Sequence, residues 1–188
     1  EEHVQALGYA RADKLFLNTP GDESWKTALN IPSNSSIVLY APTWQQDSQS
    51  RSLFPFGETQ DSFLSKLDRI CSQQNATLIV RSHLNAAIAD REYESVRYCS
   101  MKEFPDTESL LQGSDVLLCD WSSIAFDFLA LQRPTFFLDV EPPFKDGFSL
   151  GPEYRFGQIA TDMDSLTSSL SQALTDDGAY WQAHSDEH

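Results

Sequence analysis

Residues Ser114 to Asp139 read SDVLLCDWSSIAFDFLALQRPTFFLD. Val116, Leu117, Leu118 and Cys119 form a continuous apolar run, too short for a helix and bounded by polar residues. That pattern predicts a strand buried on both faces, as in a parallel sheet. Asp120, Ser122 and Ser123 follow. Such residues open helices, because a short side-chain oxygen accepts from the free N–H groups of a first turn. The spacing predicts a helix from about Ser123 to Gln132. Ile124, Phe128 and Leu131 lie on one stripe, with Phe126, Leu129 and Ala130 widening it. Pro134 ends the helix, and Thr135 to Leu138 is a second buried strand. The unit is therefore β-α-β with a right-handed crossover.

Such a unit aims a helix start at the carboxyl edge of the sheet. Free N–H groups, the hydroxyls of Ser122 and Ser123 and the positive end of the helix dipole converge there, which suits an anion such as phosphate. The same residue types also serve as plain helix caps. Asp127, one turn into the helix, adds a carboxylate to the group.

The chain has 188 residues, 40% hydrophobic and 12% aromatic, enough for one good core and too few for two large domains. No apolar run approaches the ~20 residues of a membrane helix, and Glu1 does not open a secretory signal. The net charge is −15. It excludes the basic footprint of a nucleic-acid binder and opposes docking on an anionic membrane. Any anionic nucleotide must then be held by a local device against the overall field. Cys71, Cys99 and Cys119 are odd in number, far apart and in apolar contexts, which reads as reduced core residues in a cytoplasmic setting. Neither a disulfide nor a metal site is expected. Phosphate-loop, dinucleotide-binding and metalloprotease motifs are absent.

Upstream, residues 1–8 read as a linker entering from a preceding domain. Tyr9 to Leu17 and Asp22 to Asn30 read as short helices. Ser36 to Tyr40 is a strand, and Pro42, Thr43 and Trp44 follow at its carboxyl end, where ligands bind in open α/β sheets. Pro42 fixes the turn, Thr43 offers a hydroxyl, and Trp44 offers a flat surface for a base or packs in the core. Gln45 to Thr59 is a long polar loop. Gln60 to Gln74 is an amphipathic helix with Phe63, Leu64, Leu67, Ile70 and Cys71 on its apolar face. Thr77 to Val80 is the next strand, and Arg81, Ser82 and His83 leave its carboxyl end. Residues two apart on a strand share a side. A forked guanidinium at Arg81 and an imidazole at His83 could thus both meet phosphate oxygens. From position alone a structural histidine is the stronger of the two readings of His83. Ser95 to Cys99 reads as a strand and Glu108 to Gln112 as a short helix capped by Pro105-Asp106-Thr107. After Asp139 come a loop over Glu141 to Tyr154, a weak strand over Gly157 to Ala160, a helix over Met163 to Leu174, and a polar tail from Asp176 to His188 that should fray.

The stretch DVLLCDWSSIAFDFLALQRPTFFLD resembles the D-x-L-I-T-D-Y-S-S-x-x-F-D-x-x-x-L-x-R-P-x-x-F signature of the CDP-glycerol glycerophosphotransferases, enzymes of teichoic acid and capsule polymer synthesis. Trp121 stands for the family's Tyr and Cys119 for its Thr. Three further blocks agree in order. LGYARADKL (Leu7 to Leu15) resembles L-G-x-P-R-x-D, IVLYAPTWQQD (Ile37 to Asp47) resembles I-L-Y-A-P-T-W-R, and LIVRSHLN (Leu78 to Asn85) resembles I-x-x-R-x-H-P-N. Ala10 and Leu84 replace family prolines, and Asp146 replaces the Arg of an R-G-F segment.

The resemblance implies that Arg11 contacts the donor nucleotide, that Arg81 and His83 meet the CDP-glycerol diphosphate, and that His83 is catalytic. It implies a donor of CDP-glycerol type, a polymer or lipid-linked acceptor bound through an amino-terminal domain, and no cofactor. It also implies a cytoplasmic enzyme, peripheral at the inner membrane face.

The expected fold is an α/β, Rossmann-like three-layer sandwich with a mainly parallel sheet, one half of a GT-B architecture, with residues 1–188 as a single donor-binding domain. Two other readings stay open at this point. One is the donor domain of a GT-B enzyme using a nucleotide sugar. The other is a non-catalytic interaction module that kept the fold.

Overall fold

A computed structural model describes residues 10, 13–16, 21–43, 54–82, 91–142, 151–175 and 178–188. Among them six strands form one sheet: β1 (Ser36–Ala41), β2 (Ala76–Ser82), β3 (Val96–Ser100), β4 (Val116–Cys119), β5 (Thr135–Leu138) and β6 (Gln158–Ala160). The spatial order is β3-β2-β1-β4-β5-β6, and every pairing is parallel. The expected Rossmann-like sheet is present, wholly rather than mainly parallel.

The helices are α1 (Asp13–Phe16), α2 (Ser24–Ala28), α3 (Gln60–Gln73), α4 (Thr107–Gln112), α5 (Ile124–Leu129), α6 (Met163–Thr175) and α7 (Ala179–His184). The strands alternate between two cores, one on each face of the sheet. Val38, Tyr40, Leu78, Val80, Val116, Leu118 and Phe136 pack with Phe63, Leu64 and Leu67 of α3 and Leu166 and Leu170 of α6. Ile37, Leu39, Ile79, Leu117, Cys119 and Phe137 pack with Leu110 and Leu111 of α4 and Ala125 and Phe128 of α5. Both sides of the central strands meet helices, so their period-two alternation is between two apolar layers, and β1, β4 and β5 read as unbroken apolar runs.

Polar side chains set the register at the amino edge. Asp115 N–H donates to Ile37 O (2.8 Å), while Ile37 N–H donates to Asp115 Oδ2 (2.8 Å). Arg133 Nη1 donates to Gln112 O (2.7 Å) and to Ser114 O, tying the α5–β5 connection beneath β4.

Two expectations about α5 need correction. α5 is shorter than the apolar stripe implied. It ends at Leu129, and Gln132 turns into the left-handed region (φ 55°) before Pro134. Phe126 does not widen the buried stripe. It is exposed, with its ring edge-on to Phe156 at 5.5 Å.

The tail from residue 178 is docked rather than frayed. Tyr180 is buried 5.6 Å from Phe136, and its hydroxyl bonds to Gln158 Oε1 (2.5 Å). Thr135 N–H donates to His188 Nε2 (3.1 Å), and Gly157 N–H donates to Glu187 O. Tyr180, His184 and His188 recur every four residues, so one face carries the aromatic anchors despite the polar composition. No helix among the described residues is long and apolar enough to cross a membrane.

Candidate functional site

The strand order reverses direction between β1 and β4. In doubly wound sheets ligands bind at that switch point, outside the carboxyl ends of the strands. Ala41 pairs with Cys119, so the chain exits of β1 and β4 lie side by side. Asp120 joins them. Its buried Oδ1 accepts from Thr43 N–H (2.8 Å), Thr43 Oγ1 (2.5 Å) and its own neighbour Trp121 N–H (2.6 Å). Asp120 is thus not a helix cap. It is a strut between two connections that are 77 residues apart in the chain.

The turn after Asp120 presents its hydroxyls differently from a capped helix start. Ser123, the residue before α5, makes no side-chain cap bond and is exposed. Ser122 Oγ accepts from Ile124 N–H at 3.4 Å, a long contact. With six residues, α5 has little dipole to offer. The hydroxyls, not the dipole, are what this turn brings to a ligand.

A cavity of about 370 Å³ opens at this edge. Ser122, Ser123, Asp127, Thr107, Glu108 and Arg81 supply its polar wall. Pro42, Met101, Pro105, Leu111 and Ile124 supply an apolar one. Asp127 is buried. The mixture suits a ligand with a flat apolar part and several hydroxyl or phosphate oxygens.

Arg81 reaches the cavity but is held by the protein. Its guanidinium is buried. Nη1 donates to Phe104 O (2.6 Å) and Ser100 O (3.2 Å), and Nη2 donates to Thr107 Oγ1 (3.2 Å). Burial lowers its pKa, with Cys99, 3.6 Å away, acting in the opposite sense. Burial likewise pushes the Cys99 thiol up, against the pull of Arg81. The residue therefore ties the end of β2 to the β3–α4 connection and builds that wall of the cavity.

The described part of the molecule brings together Pro42, Thr43, Arg81, Ser122, Ser123 and Asp127 from the sequence-derived set. Of Ser82 the backbone is described, at the end of β2. Arg11, Trp44 and His83, the linker 1–8 and the Asp146-Gly147-Phe148 segment lie outside the described residues. Met101, Pro105, Thr107 and Glu108 line the cavity without having been anticipated as site residues. The Pro105-Asp106-Thr107 signal pointed correctly to a cap, with Asp106 accepting from Ser109 N–H (3.2 Å), but not to the wall it creates. Among the described residues no group of His, Cys, Asp and Glu could hold a metal ion.

The teichoic acid poly(glycerol phosphate) polymerase of Staphylococcus epidermidis is 31% identical over 146 residues, taking in 73% of this chain and 19% of that protein. The teichoic acid glycerol-phosphate transferase of Staphylococcus aureus is 31% identical over 140 residues, 72% of this chain and 35% of that protein. A solved structure of the wall teichoic acid polymerase TagF superposes with a TM-score of 0.70 at 26% identity, over 99% of this chain and 48% of that one. The chain therefore spans less than half the length of these relatives. The family model for CDP-glycerol:poly(glycerophosphate) glycerophosphotransferase matches residues 1–185. On this match the chain belongs to the CDP-glycerol:poly(glycerophosphate) glycerophosphotransferase family.

Proposed function

We propose that this chain is the donor-binding part of a glycerophosphotransferase that takes CDP-glycerol, or a related CDP-polyol, and passes its polyol phosphate to a cell-surface polymer. The observation that carries this reading is the cavity at the β1/β4 switch point, walled by Ser122, Ser123 and Asp127 on one side and by apolar residues on the other.

In the reaction an acceptor hydroxyl oxygen forms a bond to the donor's β-phosphorus. The bond from that phosphorus to the bridging oxygen breaks, CMP leaves, and the hydroxyl proton passes to a base. Ser122 and Ser123 donate hydrogen bonds to phosphate oxygens, and Asp127 accepts from ribose or polyol hydroxyls. His83 stabilises charge on the leaving phosphate. Arg11 and Trp44 add a cation and a stacking surface. Thr43 is placed by Asp120, and Arg81 holds the wall. The acceptor and its activating base belong to an amino-terminal part outside this sequence, so the chain alone binds donor with little or no turnover. The enzyme works at the cytoplasmic side of the membrane, where nucleotide-activated donors are made.

Calorimetric titration with CDP-glycerol, CDP, CMP and UDP tests the reading, repeated with Ser123→Ala and His83→Ala. Cytidine diphosphates should bind best, and each variant should weaken them by about tenfold or more, the loss of one hydrogen bond to a charged group. Equal binding of UDP, or variants that bind like the parent, would refute it. So would polymer synthesis by the chain alone, as regards the missing base.

A further inference from the structure

We infer that Arg155 is a positioning residue for the β4–α5 turn, acting through a cation–π contact with Trp121. This deepens the donor-binding reading and rests on it only where nucleotide affinity is concerned.

Arg155 lies between β5 and β6, in a stretch whose sequence singles out no cation. Its guanidinium carbon sits 4.2 Å from the centre of the Trp121 ring and 5.8 Å from that of Phe137. The side chain is only 6% exposed, while its ion-pair partner Asp139, at 3.2 Å, is 56% exposed. Nε and Nη2 are buried and make no hydrogen bond. A surface ion pair would leave those groups in water. Here the ring faces take their place, and the single bond to Asp139 orients the plane.

Trp121 is pinned from the other side, its indole N–H donating to Val140 O at 2.8 Å. Its backbone N–H is fixed by Asp120 (2.6 Å), the same carboxylate that holds Thr43. Ser122 and Ser123 come next in the chain. The contact thus clamps the residue from which both site hydroxyls hang, and links the turn to the β5–β6 connection. A planar guanidinium lies against a ring face in a way a compact, strongly hydrated ammonium does not, so Lys should not replace Arg here.

The test has two arms. In the first, amide hydrogen exchange is followed at Trp121, Ile124, Ala125 and Phe126 in the parent, Arg155→Ala and Arg155→Lys, with β1 and β2 amides reporting global stability. Both variants should speed exchange at the turn by about tenfold relative to the strands. Turn amides that move only in step with the strands overturn the inference, as does a Lys variant that behaves like the parent. In the second arm CDP is titrated into the same proteins. Both variants should weaken CDP by about tenfold, and Arg155→Ala combined with Trp121→Phe should be no weaker than either single change. A loosened turn with unchanged CDP affinity would support the clamp and remove the turn from the donor site. A parent that does not bind CDP would refute the donor reading, and the first arm would still decide the clamp.

Discussion

Removing the Arg81 guanidinium should cost far more in folding than a surface or ligand-facing arginine would. Three hydrogen bonds to oxygen run from it, to Phe104 O (2.6 Å), Ser100 O (3.2 Å) and Thr107 Oγ1 (3.2 Å), beside a weaker one to Cys99 Sγ (3.6 Å). A hydrogen bond involving a charged group contributes about 1.5–3 kcal/mol. The three do not add. Ser100 O keeps the Phe104 N–H at 3.0 Å, and the half-buried Thr107 hydroxyl can turn to water. The loss is then chiefly the Phe104 bond and the packing of the stem, about 2–4 kcal/mol for Arg81→Ala. Urea unfolding followed by circular dichroism should show the midpoint falling by about 1–2 M at an m-value of about 2 kcal/mol/M. Arg81→Lys should recover less than half, because an ammonium cannot span three acceptors. A change below about 0.5 kcal/mol would refute the reasoning, since that is what a surface substitution costs. The guanidinium would then be free for phosphate, as the strand-end position first implied.

Asp120→Ala removes the acceptor shared by Thr43 and Trp121 and should cost about 3–5 kcal/mol; Asp120→Asn, which keeps one acceptor oxygen, should cost less, and thermal melts of the pair check the order. Tyr180→Ala should cost about 2–4 kcal/mol and expose residues 178–188 to limited proteolysis, whereas a tail that is cleaved equally fast in the parent would contradict its docking. At alkaline pH the fold should weaken. Burial, with Asp68 adding, pushes the Cys71 thiol from 9.0 up to about 12, and burial, with Glu187 adding, pushes the Tyr180 hydroxyl from 10.0 up to about 12. Both groups are acids that ionise more easily in the unfolded chain. Their contribution is complete below pH 9 and is lost as pH rises from about 9 towards 12. Melting temperatures over that range in the parent and Cys71→Ala should converge as pH rises; parallel curves would refute the assignment to Cys71.

Much of the fold was legible because local patterns carry it. Val116 to Cys119, Thr135 to Leu138 and Ser36 to Tyr40 are strands as read, since runs apolar on both faces satisfy a sheet covered on both sides. The amphipathic face of α3 agrees with its buried residues Phe63, Leu64, Leu67 and Cys71. Ser122, Ser123 and Asp127 were found from residue type and position after a buried strand, and they line the cavity. The lengths of α5 and the fate of the tail were not legible. The first depended on a left-handed Gln132, the second on aromatic anchors hidden in a polar stretch.

By itself the sequence determined the layers, the direction of the strands and the edge at which polar groups gather. Those follow from hydrophobic period and from the residues at strand ends, which are properties of neighbouring positions. Tertiary structure alone decided what each polar group does there. Asp120 reaches Thr43, 77 residues away, only because β4 is laid against β1. Arg81 is spent on a connection that β3 carries past it, and Arg155 arrives on Trp121 from beyond β5. A charged side chain goes to whichever partner strand order places within a few ångströms, and that distance is set by the packed sheet rather than by the chain.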